Sequence, residues 1–459
     1  MSVALPALRQ TQIEAVLHTV AAGNCCAVHG LSNTGKSPLL RSLARPENQA
    51  RFAEYAGRPG ALIYVDCNRV VELSATGFYE VVLRSLLEYV QDPLTPPTAA
   101  PDLLSLMHDY HTRITAGTPF QASLAFNSAL ADLTTRMNLS LVLLLDEFDE
   151  VYAALEDRTL LNLRALKDHS GDQLVYVTAT VRPLAESRAP GDNEFAELFA
   201  GYALNLGLLA PADAARVIQR FGGSRLPAPF TEAVLRLAGG HFGLLTALTQ
   251  AALREAHASP APAPTRLAAD LTARAECLKL WNQLRPEEQG ALTSLVTSPE
   301  EGLSTPDRER LENLGLAVAE HGQPRLFSEL FVNFVRHQSA LPAQGGQGVL
   351  VDEDAGEVWV DGARVTILTD LEYRLMRLLF QRRDRLTTKD MIVEAVWGGD
   401  YLDRVDDARI EKLVSRLRAK IEPDPAKPRY LLTQRGRGYK LASTAEESKD
   451  DSASNDPGR

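Results

Sequence analysis

Cysteine is scarce in this chain: four in 459 residues (Cys25, Cys26, Cys67, Cys277), two of them adjacent and none at a metal-ligand spacing. That excludes a disulfide framework or a cysteine-bound zinc as the organising device and fits buried thiols in a reducing compartment. Long apolar runs are missing as well. With no stretch of about 18 apolar residues, nothing is expected to span a membrane. The opening MSVALPALRQTQIEAVL lacks a basic segment followed by an apolar one, so no secretory signal is expected and the protein reads as cytoplasmic. Positive charge is also in short supply. A net charge of −11 argues against a nucleic-acid surface spread over the whole chain.

What positive charge there is gathers in one place. Between Val405 and Lys440 ten Lys/Arg face five Asp/Glu, a local +5 that leaves −16 on the remainder. Such asymmetry is what a local phosphate-binding face requires. The length is too great for one core, and roughly two to four domains are expected.

The first part of the chain alternates apolar runs with helical spacing. CCAVHG, GALIYVDCN, LSLVLLLDEFDE, QLVYVTAT and YALNLGLL read as strands, separated by stretches such as QIEAVLHTVAAG. Apolar runs between helices predict a parallel sheet covered on both faces, a multidomain chain headed by an α/β nucleoside-triphosphatase fold. The α/β core is assigned to residues 1–210, with a Pro-rich excursion at 91–102. Residues 211–256 read as a helical lid, 257–269 as a linker and 270–337 as a helix–helix–wing unit. A second linker (338–349), a last domain (350–442) and a polar, disordered tail (443–459) complete the chain.

HGLSNTGKSPLL contains Gly30, four residues, then Gly35-Lys36-Ser37, the pattern of a phosphate-binding loop. A strand precedes it and a helix follows. The loop N–H groups from Gly30 through Ser32, Asn33, Thr34 and Gly35, with the helix start at Lys36, Ser37 and Pro38, therefore point at phosphates. Lys36 adds positive charge and the Ser37 hydroxyl is placed for Mg²⁺. Pro38 falls in the first helical turn, where its missing N–H costs little. Downstream, LVLLLDEFDE delivers Asp146 to the edge of its strand, to hold Mg²⁺ through water. Glu147 would orient or deprotonate the attacking water. Asp149 and Glu150 read as solvated charges. On the following strand Thr178 or Thr180 is placed to reach the γ-phosphate or the water, and Arg182 to sense γ-phosphate charge. Against this stands a plainer reading, in which the threonines merely favour a strand and Arg182 is exposed.

GLSNTGKSPLLRSL, LLLDEFDE, VTATVR and LAGGHFGLL together resemble AAA+-type ATPases. The signal-transduction ATPases with numerous domains and the origin-recognition-type ATPases are the nearest groups. The resemblance implies ATP or ADP with Mg²⁺ as ligands and a lid carrying GGHFGLL near adenine. Phe242 stands where many relatives have proline, and their Gly-Arg box before the first helix is absent from residues 1–20.

Residues 358–441 can first be read without a family. EVWVDGARVTI predicts a hairpin turning at Asp361-Gly362. LTDLEYRLMRLLFQRR is a helix with an apolar face at Leu371, Leu375, Leu378 and Leu379, and TTKDMIVEAVWG a helix opened by a hydroxyl cap. In DDARIEKLVSRLRAKIE, Ile410, Val414, Leu417 and Ile421 make a core-facing stripe. Arg409, Lys412, Arg416 and Lys420 gather on another side, suited to phosphates and guanine edges. YLLTQRGRGYKL reads as a wing carrying Arg435 and Arg437. This segment resembles the winged-helix domain of OmpR/PhoB-type response regulators, which implies that helix 405–421 enters the major groove of double-stranded DNA. The unit at 270–337 resembles the winged helix that follows the lid in the ATPase group.

These features lead to the expectation of an ATP-binding, slowly hydrolysing switch that controls a DNA reader in transcription. Homo-oligomerisation on ATP binding and contact with RNA polymerase are further expectations. Two other readings remain open at this point: a DNA-acting ATPase tethered by its winged helix, and a nucleotide-binding scaffold without hydrolysis.

Overall fold

The computed structural model describes residues 8–91, 101–136, 138–188, 194–259, 261–299, 302–320, 323–340, 348–352, 357–361, 363–365, 368–398, 407–434 and 436–443. The expected excursion at 91–102, the linker at 338–349 and the tail therefore lie largely outside the described residues. The chain divides into two compact units, residues 1–336 and 337–459.

The first unit is built on five parallel strands: β1 (Cys26–His29), β2 (Gly60–Asp66), β3 (Ser140–Asp146), β4 (Leu174–Thr180) and β5 (Ala203–Asn205). They run in the order β2-β3-β4-β1-β5. Every residue of β1, β3 and β4 is buried, which explains why these segments are continuously apolar rather than alternating. Helices α1 (Gln10–Ala21), α2 (Lys36–Leu43), α3 (Pro46–Ala56), α4 (Ala75–Gln91), α5 (Pro101–Ala116), α6 (Pro119–Ala131), α7 (Asp149–Ala154), α8 (Asp157–Ser170) and α9 (Glu194–Glu197) complete this layer. In α1 the apolar spacing buries Ile13, Val16, Leu17 and Val20. β5 is shorter than the apolar run YALNLGLL. Beyond Asn205 the Leu206 N–H still donates to the His29 carbonyl at 2.6 Å, and the Gly207 carbonyl then accepts from Arg9 Nη2 at 2.6 Å.

A second apolar core unites what composition divided. The lid helices α10 (Pro211–Gly222), α11 (Ala228–Ala238) and α12 (Phe242–Ala256) share it with α13 (Pro264–Ala268), α14 (Leu271–Asn282), α15 (Pro286–Thr297) and α16 (Thr305–Asn313). The hairpin β6 (Ala317–Glu320) and β7 (Gln323–Leu326) and helix α17 (Glu329–Ala340) close the same cluster. The segment 257–269, read as a linker from its prolines and alanines, contains α13. Leu267 anchors it, 1% exposed.

In the second unit β8 (Val349–Asp352), β9 (Glu357–Val360) and β10 (Ala363–Arg364) form an antiparallel sheet, in agreement with the expected hairpin. Gly362 itself lies outside the described residues. Helices α18 (Asp370–Gln381), α19 (Lys389–Trp397) and α20 (Asp407–Ile421) follow, then the hairpin β11 (Leu431–Gln434) and β12 (Gly438–Leu441). Thr369 and Thr388 cap α18 and α19 through their hydroxyls. The stripe on α20 is buried as spaced, with Leu413 added. The face of α18 is rotated from the expected one. Leu371 is 38% exposed, and Leu375, Met376 and Leu379 fill the core. Its last turns face the core, while Leu371 sits in the first turn beside solvent.

The buried Glu372 carboxylate accepts from the Thr369 N–H at 2.9 Å and from Lys420 Nζ at 2.7 Å. Burial alone raises such a carboxyl, yet these bonds hold Glu372 below the ordinary carboxylate range. Its contribution to stability is thus fully present above that range and is lost as pH falls through it. Lys420→Ala is expected to cost about 1–3 kcal/mol in urea unfolding at pH 7 by stranding this carboxylate. Arg416→Ala serves as the near-neutral control.

Candidate nucleotide site and DNA-facing helix

The phosphate loop bridges the end of β1 and the start of α2, and its shape depends on glycine at two positions. A Cβ on Gly30 would meet the Leu206 carbonyl oxygen and Thr34 Oγ1, both at 2.8 Å. Gly35, at φ 102°, takes the left-handed conformation that starts α2. Asn33 is also left-handed, at φ 58°. The loop places Lys36 inside, 3% exposed, with Nζ donating to the carbonyls of Gly30 (2.7 Å) and Leu31 (3.2 Å). Burial pulls the Lys36 pKa down, opposed by Glu147, Asp149 and Asp146.

β4 lies between β1 and β3, so its end separates the loop from Asp146. Asp146 is 1% exposed. It accepts from the Tyr64 hydroxyl at 2.6 Å and from the Glu147 N–H at 3.1 Å, and Arg41 in turn donates to Tyr64 at 3.1 Å. Glu147 follows with φ 52°, a left-handed backbone that non-glycine residues rarely adopt and that often marks a functional position. Its half-buried carboxyl lies above the ordinary carboxylate range because burial outweighs the attraction of Lys36. Ser37 is partly buried in the first turn of α2 and Pro38 is exposed beside it.

The structure gives three of these residues partners that the sequence does not show. Asp149 is not a solvated charge: its Oδ1 accepts from the Val181 N–H at 2.9 Å and fixes the exit of β4, while Glu150 is exposed as expected. The Thr180 hydroxyl donates to the Arg182 carbonyl at 2.7 Å and stands 3.1 Å from His29 Nδ1, so it holds the strand end. Arg182 is neither exposed nor uncommitted. Its Nη1 and Nη2 donate to Glu288 at 3.0 and 2.6 Å, and Nη2 also to the Gln283 carbonyl at 3.2 Å. The Glu288 side chain is 1% exposed, and a carboxylate so buried requires a bidentate cation.

Sequence reasoning missed this joint and missed Arg9. Glu288 and Gln283, flanking the α14–α15 corner, carry no motif, and only a buried acid in the fold reveals them. Gln283 Oε1 accepts from the Ser32 N–H at 2.8 Å and its amide nitrogen donates to Ser32 Oγ. Asn33 Nδ2 donates to Glu276 on α14 at 2.6 Å, and the Asn33 carbonyl accepts from the Gly243 N–H at 3.0 Å. Arg9 stands immediately before α1, where the arginine-bearing box would lie. Its Nη2 donates to the carbonyls of Thr34 (2.9 Å) and Gly207 (2.6 Å), tying the loop to the chain that leaves β5. The available signal was an arginine immediately before the first amphipathic helix.

On α20, Arg409, Lys412 and Arg416 are exposed. Lys420 is separated from them in role, since its ammonium serves Glu372. Arg418 donates to the Leu431 carbonyl at 2.9 and 2.6 Å and to Thr433 Oγ1 at 2.8 Å, which fastens the helix to the hairpin. Arg437 is exposed at the hairpin turn, and Arg435 lies outside the described residues.

Residues 363–441 match the family described as transcriptional regulatory protein, C terminal. The uncharacterized transcriptional regulatory protein YrkP of Bacillus subtilis is 36% identical over 99 residues, 22% of this chain and 42% of that protein. The DNA-binding response regulator MtrA of Mycolicibacterium smegmatis is 39% identical over 92 residues, 20% of this chain and 39% of that protein. The chain thus spans about two fifths of the length of these curated relatives. Among solved structures, the Walker-type ATPase of Pyrococcus abyssi is 15% identical at a TM-score of 0.46, covering 72% of this chain and 96% of that one. The DNA-binding domain of CpxR from E. coli is 28% identical at a TM-score of 0.18, covering 22% of this chain and 94% of that one. The match to the C-terminal domain of transcriptional regulatory proteins thus covers β10 through β12 of the second unit.

Gly30→Ala is expected to displace the loop and weaken ATP binding by roughly 1–3 kcal/mol, the usual cost of overpacking a tight site. Calorimetric titration checks this, and unchanged affinity would show that the loop does not carry the phosphates.

Proposed function

We propose that this protein is a nucleotide-switched DNA-binding regulator of transcription. The observation that carries the reading is the joint between the phosphate loop and the α14–α15 corner: Ser32 with Gln283, Asn33 with Glu276, and Arg182 with Glu288. A loop that rearranges around a ligand must alter these bonds, so occupancy is linked to the position of the winged-helix-like unit. The link is a coupling free energy between two sites and acts in both directions.

The loop residues fit a nucleoside triphosphate with Mg²⁺. A buried ammonium with only loop carbonyls as direct partners and a cradle that a Cβ on Gly30 would fill are what a polyphosphate needs. Ser37 and Asp146 would hold the cation, which supplies neutralisation of phosphate charge when bound. Among the described residues no group of three His, Cys, Asp or Glu is placed to hold a metal ion by itself. Tyr64 orients Asp146, and Glu147 holds a carboxylate where a water would be oriented or deprotonated. In the second unit Arg409, Lys412 and Arg416 would face the DNA major groove, with Arg437 on the adjoining backbone. No described helix is long and apolar enough to cross a membrane.

Lys36→Ala is expected to abolish ATP binding while full-length protein keeps salt-dependent binding to duplex DNA, read by fluorescence anisotropy. Arg416→Ala is expected to cost about 1–3 kcal/mol at the preferred sequence if it reads a base; a uniform loss over all sequences would make it a phosphate contact. Glu147→Gln is expected to retain ATP and lose turnover. Unchanged turnover would remove Glu147 from the reaction.

A further inference from the structure

Strand β2 carries one tyrosine in the otherwise apolar run GALIYV, and it stands beside Asp146. Across the parallel β2–β3 ladder Tyr64 pairs with Leu144 and Asp66 with Asp146. Side chains two residues apart share one face of a strand, so Tyr64 lies on the face of Asp146, one diagonal step short of it. The length of the side chain closes that step, and the hydroxyl donates to Asp146 Oδ2 at 2.6 Å. From the other direction comes α2. Ser37 and Arg41 are four residues apart there, hence on one side of the helix. Arg41 Nε donates to the Tyr64 hydroxyl at 3.1 Å, and the guanidinium lies 5.1 Å from the centre of the Tyr64 ring. Helix α2 thus carries Ser37 at the loop and, one turn on, the arginine that holds Tyr64.

A phenol has a single hydrogen. With that hydrogen given to Asp146, only lone pairs face Arg41, so the direction of both bonds is fixed. The chain runs from a cation through a neutral hydroxyl to an anion, and each bond polarises the next. The cation–π contact keeps the ring in place. On its other oxygen Asp146 accepts from the Glu147 N–H at 3.1 Å. One bond on each oxygen fixes the plane of the carboxylate and still leaves each oxygen able to accept again. Asp146 is 1% exposed, and these two donors are a hydroxyl and a backbone N–H. Neither carries charge, so the buried carboxylate is left to be answered by a cation.

We propose that Tyr64 and Arg41 are positioning residues for Mg²⁺: Tyr64 holds Asp146 in the orientation that receives the cation, and Arg41 acts by holding Tyr64. Partners one bond removed from a metal orient its ligand, and their loss usually costs about 10- to 100-fold in metal affinity. Arg41 is exposed, so the relay starts at the surface of α2 and ends inside the site. This role rests on the reading of Ser37 and Asp146 as the cation site and adds to it the residues that set its affinity.

Calorimetric titration of the full-length chain with ATP, in EDTA and then in excess Mg²⁺, gives the factor by which the cation tightens binding. Tyr64→Phe keeps the ring and removes the hydroxyl. It should leave the affinity in EDTA unchanged and reduce the Mg²⁺ factor about tenfold. Arg41→Ala should reduce the factor about threefold, the scale of one hydrogen bond. Added to Tyr64→Phe it should cost nothing more, since its effect passes through the phenol. An unchanged Mg²⁺ factor in Tyr64→Phe would overturn the role of Tyr64, as would an equal loss in EDTA, which marks a packing defect. Losses that multiply in the double variant would overturn the role of Arg41. A wild-type chain that binds ATP equally with and without Mg²⁺ would instead overturn the reading of Asp146 as a cation holder, and one that binds no ATP the reading of the loop.

Discussion

A carboxylate sealed from water must be answered by a cation, and the pairing of Glu288 with Arg182 is where the first unit meets that demand. Arg182 leaves the end of β4, two residues beyond Thr180, while Glu288 sits in the first turn of α15. The bond therefore joins the C-terminal edge of the sheet to the helices that follow the lid. Breaking it without replacement is expensive, because it strands a buried charge. The amide of Gln283 and the carboxylate of Glu276 extend the same joint onto the loop. The shape of the loop and the placement of the helical unit are thus one problem in this fold.

Much of the architecture was legible in the residues, and the reason is periodicity. Continuous apolar runs marked β1, β3 and β4 because strands buried on both faces admit no alternation. The glycine spacing marked the loop, since only glycine fits at Gly30 against Leu206 and Thr34. What stayed hidden depends on pairings far apart in sequence. Arg182 and Glu288 are separated by 106 residues and Arg9 and Gly207 by 198, and no local pattern announces either. Composition also misled at 257–269: its prolines and alanines suggested a free linker, yet Leu267 is a core residue. Asp149 reads as a solvated charge in the sequence because its partner is a backbone N–H, which leaves no mark there.

In the second unit the basic residues of α20 divide their labour. Lys420 and Arg418 face inward, one neutralising Glu372 and the other closing the helix onto β11. Arg409, Lys412 and Arg416 project from the exposed side. Helical spacing puts four of these side chains on one side, whereas the buried acid at Glu372 engages one of them, Lys420. The helix is therefore fastened to the domain by part of its positive charge and carries the rest on its exposed side.

A nucleotide-controlled regulator requires that nucleotide occupancy alter the encounter with DNA. The most direct measurement is the affinity of the full-length protein for its preferred duplex at fixed salt, free of nucleotide, with ADP and with ATP. Coupling through the joint predicts affinities that differ between these states, by the roughly 5- to 150-fold typical of linked sites. Identical affinity, stoichiometry and footprint in all three states would contradict it.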